Sequence, residues 1–162
     1  YASYEDLAES VRHRFTAPRQ TLHELYRRIV FNILVGNTDD HARNHAAFWD
    51  GAQLTLTPAY DICPQNRTGG EASQAMNIHD SNKLSQLGNC IAARSAFQLS
   101  SEEAKAIILS QTGIIKTNYR EVCKKANLPG IDQDFFWRRQ FLNPYCFYDL
   151  DEGFKKTLPI SL

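Results

Sequence analysis

Nothing in this 162-residue sequence supplies a strong field of one sign, because eighteen lysines and arginines balance eighteen aspartates and glutamates. Composition therefore argues against direct, non-specific attraction to nucleic acid or to an anionic membrane. No apolar run approaches the roughly 18 residues that span a bilayer, and no signal peptide is visible. A soluble, cytoplasmic protein is the expectation. Cysteine is sparse: Cys63, Cys90, Cys123 and Cys146 form neither a C-x-x-C pair nor any zinc-type spacing. They are expected as reduced core residues. Internal repeats, low-complexity tracts and interdomain linkers are lacking as well. The chain is thus about one domain long, and a domain of that size buries about 70% of the surface its unfolded chain exposes. The first residue is Tyr1 rather than Met, so a piece of a longer protein is expected.

What is present is mostly helical periodicity. Ser3-Tyr4-Glu5-Asp6 has the form of a capping box, and Leu7, Val11 and Phe15 follow on one face until Ala17-Pro18 stops the helix. Thr21-Leu22-His23-Glu24 repeats the box ahead of a wide apolar stripe, Leu22, Leu25, Tyr26, Ile29, Val30, Ile33 and Leu34. Gly36 suits the residue that ends that helix. Two short strands, Ala47-Phe48-Trp49 and Leu54-Thr55-Leu56, flank the turn signal Asp50-Gly51, and Pro58 marks the exit. Gln65 to Asn77 reads as a surface loop. Further helices are expected over Leu84 to Phe97, from a Ser100-Ser101-Glu102-Glu103 cap to Ile115, over Tyr119 to Ala126 and over Phe135 to Phe141. The tail after Asn143-Pro144 has no clear period. Trp49, Tyr60, Phe97, Phe135, Phe136, Trp137 and Phe141 are assigned to the core.

The long helix ends in a packed polar stretch, Gly36-Asn37-Thr38-Asp39-Asp40-His41-Ala42-Arg43-Asn44. A loop fixed to the end of a buried helix is a rigid platform for chemistry. Asp39 and Asn44 stand five residues apart, the spacing of Asp and Asn in the protein-kinase catalytic loop H-R-D-x-x-x-x-N. In that arrangement the Asp accepts a hydroxyl proton, the Asn holds magnesium, and a later Asp binds the metal at the phosphates. Asp61, brought back by the hairpin, is the natural later Asp. Magnesium prefers hard oxygen ligands and keeps several waters, so one Asp, one Asn and phosphate oxygens are enough to hold it.

The segment Phe31-Asn32-Ile33-Leu34-Val35-Gly36-Asn37-Thr38-Asp39-Asp40-His41-Ala42-Arg43-Asn44, followed by Leu56-Thr57-Pro58-Ala59-Tyr60-Asp61, resembles the C-terminal part of HipA-like serine/threonine kinases. That resemblance implies a mainly α fold over residues 1–162: the helical C-terminal lobe of a protein-kinase-like fold, with a small β-hairpin leading to the metal-binding Asp. It makes Asp39 the catalytic residue, and Asn44 and Asp61 the ligands of Mg2+ and of the ATP phosphates. It also implies the biology of a toxin-antitoxin pair: a small DNA-binding antitoxin as partner and a protein as substrate, aminoacyl-tRNA synthetases being one target class. Two departures from the general kinase pattern are that no His-Arg precedes Asp39 and that Ile62-Cys63 follows Asp61. The glycine-rich phosphate loop and nucleotide-binding lysine of an N-terminal lobe have no counterpart here, so the fragment alone is expected not to transfer phosphate efficiently.

Plainer readings stand beside this one. Asp39-Asp40 can serve as a helix cap with a solvated neighbour, and Asp40 is read as a hydrogen-bonding neighbour rather than a catalyst. His41 and His45 have metal-ligand spacing but lack the Glu of H-E-x-x-H. His41 is read as orienting the loop through hydrogen bonds and His45 as surface or packing, while His13, His23 and His79 show no partner pattern. Two other functions remain open: a catalytically inactive lobe that docks an antitoxin or other partner, and a metal-dependent phosphohydrolase built on Asp39, Asp40, His41 and Asp61.

Overall fold

A computed structural model describes residues 2–67 and 69–160; Tyr1, Thr68, Ser161 and Leu162, including one position of the expected 65–77 loop, lie outside the described residues. Six α-helices run in chain order as α1 (Tyr4–Arg14), α2 (Pro18–Val35), α3 (Leu87–Ala93), α4 (Ser101–Lys125), α5 (Gly130–Phe136) and α6 (Glu152–Lys155). Between α2 and α3 lies one antiparallel hairpin, β1 (Ala47–Trp49) with β2 (Leu54–Leu56), paired Ala47 to Leu56 and Trp49 to Leu54. The mainly helical body with one small sheet is the expected fold class.

Local rules account for several helix ends. Ser3 caps α1 and Ser100 caps α4, each as a complete capping box that satisfies two otherwise unpaired backbone donors. The second predicted box does not form. α2 begins at Pro18, whose missing N–H is harmless in a first turn, and the Thr21 amide is already bonded to the Ala17 carbonyl at 3.0 Å. The two helices expected on either side of Lys116 are one continuous α4. Its buried stripe, Ala104, Ile108, Thr112, Ile115, Tyr119 and Cys123, keeps helical spacing straight through Gly113. The helix expected over Phe135 to Phe141 instead ends at Phe136, after which the chain turns.

α2 is the central element. Leu22, Leu25, Tyr26, Ile29, Val30, Ile33 and Leu34 are buried against Tyr4, Ala8 and Val11 of α1, Leu87 and Cys90 of α3, and Ala104 and Ile108 of α4. The tail without a period closes the same core. Asn143 and Asp151 cap its short turns, and Cys146, Phe147, Leu150, Phe154 and Leu158 are buried. Its apolar spacing is irregular because single turns, rather than one long helix, carry it across the core.

Several expected core aromatics are outside. Trp49 is 60% exposed, Tyr60 44% and Phe135 49%, whereas Phe97 is fully buried and Phe136, Trp137 and Phe141 are half-buried. A three-residue strand has little face to bury: β2 meets the end of α1 through Phe15 and Leu54, and β1 turns Phe48 and Trp49 outward. All four cysteines are free thiols, but Cys63 is exposed rather than core. The 65–77 stretch is not surface throughout, since Arg67, Gln74 and Met76 are buried and Asn77 bridges to Ser3. Among the described residues no helix is long and apolar enough to cross a membrane.

Candidate active site

The polar stretch is anchored at its start by Gly36. This residue takes φ +75 as the C-cap of α2, and a Cβ there would stand 2.7 Å from the Gln140 carbonyl oxygen. Only glycine meets both demands. Immediately after it, Asn37 is buried; its amide nitrogen donates to the Asn32 side-chain oxygen at 3.1 Å and to the Asp61 carbonyl at 3.5 Å. Asn32 and Asn37 thereby tie the end of α2 to the strand exit. Sequence reasoning passed over both, although an Asn inside an apolar helical stripe was a visible signal.

Asp39 is exposed, and its carboxylate takes no hydrogen bond or ion pair among the described residues. Its neighbour is the opposite case. Asp40 is buried and accepts from the Tyr4 hydroxyl at 2.7 Å, while His45 Nε2 lies 3.2 Å from the same oxygen. The Tyr4 and His45 rings meet edge to face at 5.9 Å. Burial first, and then the Asp40 charge, push the Tyr4 hydroxyl well above the ordinary tyrosine range, so it remains a donor. Asp40 is therefore the hydrogen-bonding neighbour expected, and it fastens the loop to α1. His45 is packed. His41 does not act as expected: its Nδ1 is buried without a partner among the described residues, and Asn37, Asp40 and Asn44 hold the loop instead.

Asp40→Ala is expected to destabilise the protein by about 2–4 kcal/mol, since a buried imidazole loses its carboxylate partner and the buried Tyr4 hydroxyl is left with only the longer bond to the residue-40 carbonyl at 3.3 Å. Urea denaturation measures it; a loss under about 0.5 kcal/mol would mean that the Tyr4 contact does not hold the loop.

A single 3-10 turn, Ala42–Asn44, then delivers Asn44, which is 5% exposed. Its Nδ2 donates to Asp61 Oδ2 at 2.8 Å. Asp61 itself sits at φ +56, a conformation that Asp adopts more readily than most residues. The strand exit is held from two sides, by the Tyr60 hydroxyl donating to the Arg43 carbonyl at 2.6 Å and by Arg28 Nη2 donating to the Thr57 carbonyl at 2.8 Å. Thus the structure brings Asn44 and Asp61 into direct contact, with Asp39 open to solvent on the same loop. It is the Nδ2 end of the Asn44 amide that meets Asp61, and Oδ1 accepts no hydrogen bond among the described residues. Asn44 Oδ1 and the Asp61 carboxylate are hard oxygen donors of the kind that suits Mg2+, with phosphate and water oxygens completing the shell.

This stretch lies inside a longer match to a known family. The HipA-like C-terminal domain family matches residues 1–119. The chain belongs to the HipA-like C-terminal domain family. No curated protein matches it significantly. The HipA-like match covers α1, α2, the polar loop, the hairpin and Asp61, and it stops within α4; α5 and the closing tail lie beyond it.

Of the three histidines that sequence reasoning left without a partner, His13 has Glu9 at 2.7 Å and His79 has two carboxylates. His79 Nδ1 lies 3.0 Å from Glu5 Oε1, and its Nε2 lies 3.6 Å from Asp80 Oδ2. Among the described residues these are the one group of three or more His, Cys, Asp or Glu side chains close enough to share a metal ion. A carboxylate faces each ring nitrogen separately, so the cluster reads as two side-chain contacts of one imidazole rather than three ligands turned to a shared metal.

Proposed function

We propose that this chain is the catalytic-loop lobe of a serine/threonine protein kinase of a HipA-like toxin-antitoxin system. The observation that carries the proposal is the contact between Asn44 and Asp61, with Asp39 of the same loop exposed and without a partner among the described residues. Asn44 and Asp61 would hold Mg2+, which when bound supplies neutralisation of phosphate charge. Asp39 orients the incoming Ser or Thr hydroxyl and accepts its proton as the oxygen attacks the γ-phosphorus of ATP and ADP departs. The buried Asp40, bonded to Tyr4, keeps the loop from shifting and so preserves that alignment. The adenine-binding and glycine-rich parts of the site would come from an N-terminal lobe. A protein substrate, with aminoacyl-tRNA synthetases as a class to test first, and a small DNA-binding antitoxin complete the proposal.

The geometry speaks against the phosphohydrolase reading, because Asp40 is buried against Tyr4 and His45 and offers no open carboxylate to a second metal. The test is transfer of labelled γ-phosphate from Mg-ATP to lysate proteins by the complete protein beside its Asp61→Ala variant. Labelled bands that vanish in the variant are expected. A folded parent that labels nothing would overturn the kinase proposal in favour of an inactive docking lobe.

A further inference from the structure

Away from the Asp39 loop there is a buried cation with few acceptors. Arg67 is 7% exposed. Its Nη2 donates to the Gly70 carbonyl at 2.7 Å, and its guanidinium lies 5.9 Å over the Tyr145 ring. Nε and Nη1 are buried and have no partner among the described residues. Burial lowers its pKa, yet a guanidinium stays charged at any physiological pH. Two charged donors withdrawn from water without acceptors are costly, and such a group points to a ligand.

Beside Arg67 lies an open hollow of about 340 Å³, bounded by Gly69, Trp137, Arg138, Arg139 and Asn143. No carboxylate lines it. Arg138 is held at φ +64 by its amide's bond to the Phe141 carbonyl, and its side chain makes no ion pair or hydrogen bond among the described residues. Arg67 and Arg138 both line this one hollow. Arg139 is set over the Phe135 ring at 4.3 Å, and Asn143 is occupied by the Arg139 carbonyl and the Tyr145 amide. In a chain of zero formal charge, three arginines on one hollow are a local arrangement and not a general excess.

We propose that this hollow binds a phosphoryl dianion, with Arg67 and Arg138 as its donors. A tetrahedral phosphate presents several acceptor oxygens to forked guanidinium N–H groups, which supply more than one strong, charge-assisted bond each. The open mouth admits a phosphate carried on a Ser or Thr side chain as readily as the free ion. The site shares no residue with Asp39, Asn44 and Asp61, and Arg138 and Arg139 lie beyond the family match.

Calorimetric titration of the complete protein with inorganic phosphate at constant ionic strength tests the site, alongside NMR of the arginine Nε–H signals. Saturable one-site binding that moves the Arg67 and Arg138 signals is expected. Loss of one charge-assisted donor should weaken it about tenfold or more in Arg138→Ala and in Arg67→Lys, and leave it intact in Asp61→Ala. Should Arg67→Lys fail to fold, the half-buried Arg138 still decides the matter. Absence of saturable binding, or unchanged affinity in Arg138→Ala, overturns the proposal. A phosphoserine peptide that binds more tightly than inorganic phosphate, with its unphosphorylated form silent, assigns a protein-borne phosphate. Equal affinity assigns the free ion, and either result upholds the hollow as the site.

Discussion

Asp39→Ala in the complete protein is expected to lower the rate of γ-phosphate transfer by about 10²–10⁴-fold, the usual contribution of a positioned general base. Thermal stability should hardly change. Asp39 is exposed and its carboxylate has no partner among the described residues, so the substitution falls in the class of surface changes within about 0.5 kcal/mol. Affinity for Mg-ATP should also persist, because the carboxylate proposed for the metal belongs to Asp61, against which Asn44 is packed. The contrast with Asp61→Ala is therefore sharp: that variant should lose nucleotide binding together with transfer. Steady-state kinetics with nucleotide titration separate the two. Comparable transfer by Asp39→Ala would sink the assignment of the base, whatever happened at Asp61.

Gly36→Ala should be among the most destabilising single-methyl additions in the chain. Placing an L side chain in the left-handed region costs about 1–2 kcal/mol. Here the new Cβ would also meet the Gln140 backbone oxygen at 2.7 Å, and backbone cannot step aside as a flexible side chain can. Together the two effects amount to about 3 kcal/mol or more, a fall in Tm of about 10 °C for a domain of this size. The Gln65 amide donates to the Gly36 carbonyl, so the displacement would reach the segment just after Asp61. Circular dichroism melting gives the number. A melting point within a degree or two of the parent would mean that α2 does not end in this conformation.

The candidate site was legible to an unequal degree. The five-residue step from Asp39 to Asn44 lies within one loop, and sequence spacing alone drew attention to both. Asp61 could be placed because a hairpin returns the chain over a short, countable distance, and the Asn44 contact agrees with that. Tyr4 was not legible as part of the site, since 36 residues separate it from Asp40 and nothing local pairs them. Arg67 was hidden for the same reason: in sequence it is one more polar residue in a loop, and its burial depends on the tail that packs over it.

By itself the sequence determined the capping boxes at Ser3 and Ser100, the left-handed end of α2 at Gly36, the hairpin turn and the apolar stripe of α2. Each depends on hydrogen bonds or sterics acting within about four residues, where the identity of a few side chains decides the outcome. Tertiary structure alone decided that α4 continues from Ile115 into Tyr119, that Trp49 and Phe135 face solvent, that the tail closes the core and that Asp40 meets Tyr4. Burial is a property of two surfaces at once. An aromatic or a carboxylate goes inside only when a partner from a distant part of the chain covers it, and one-dimensional spacing carries no record of that partner.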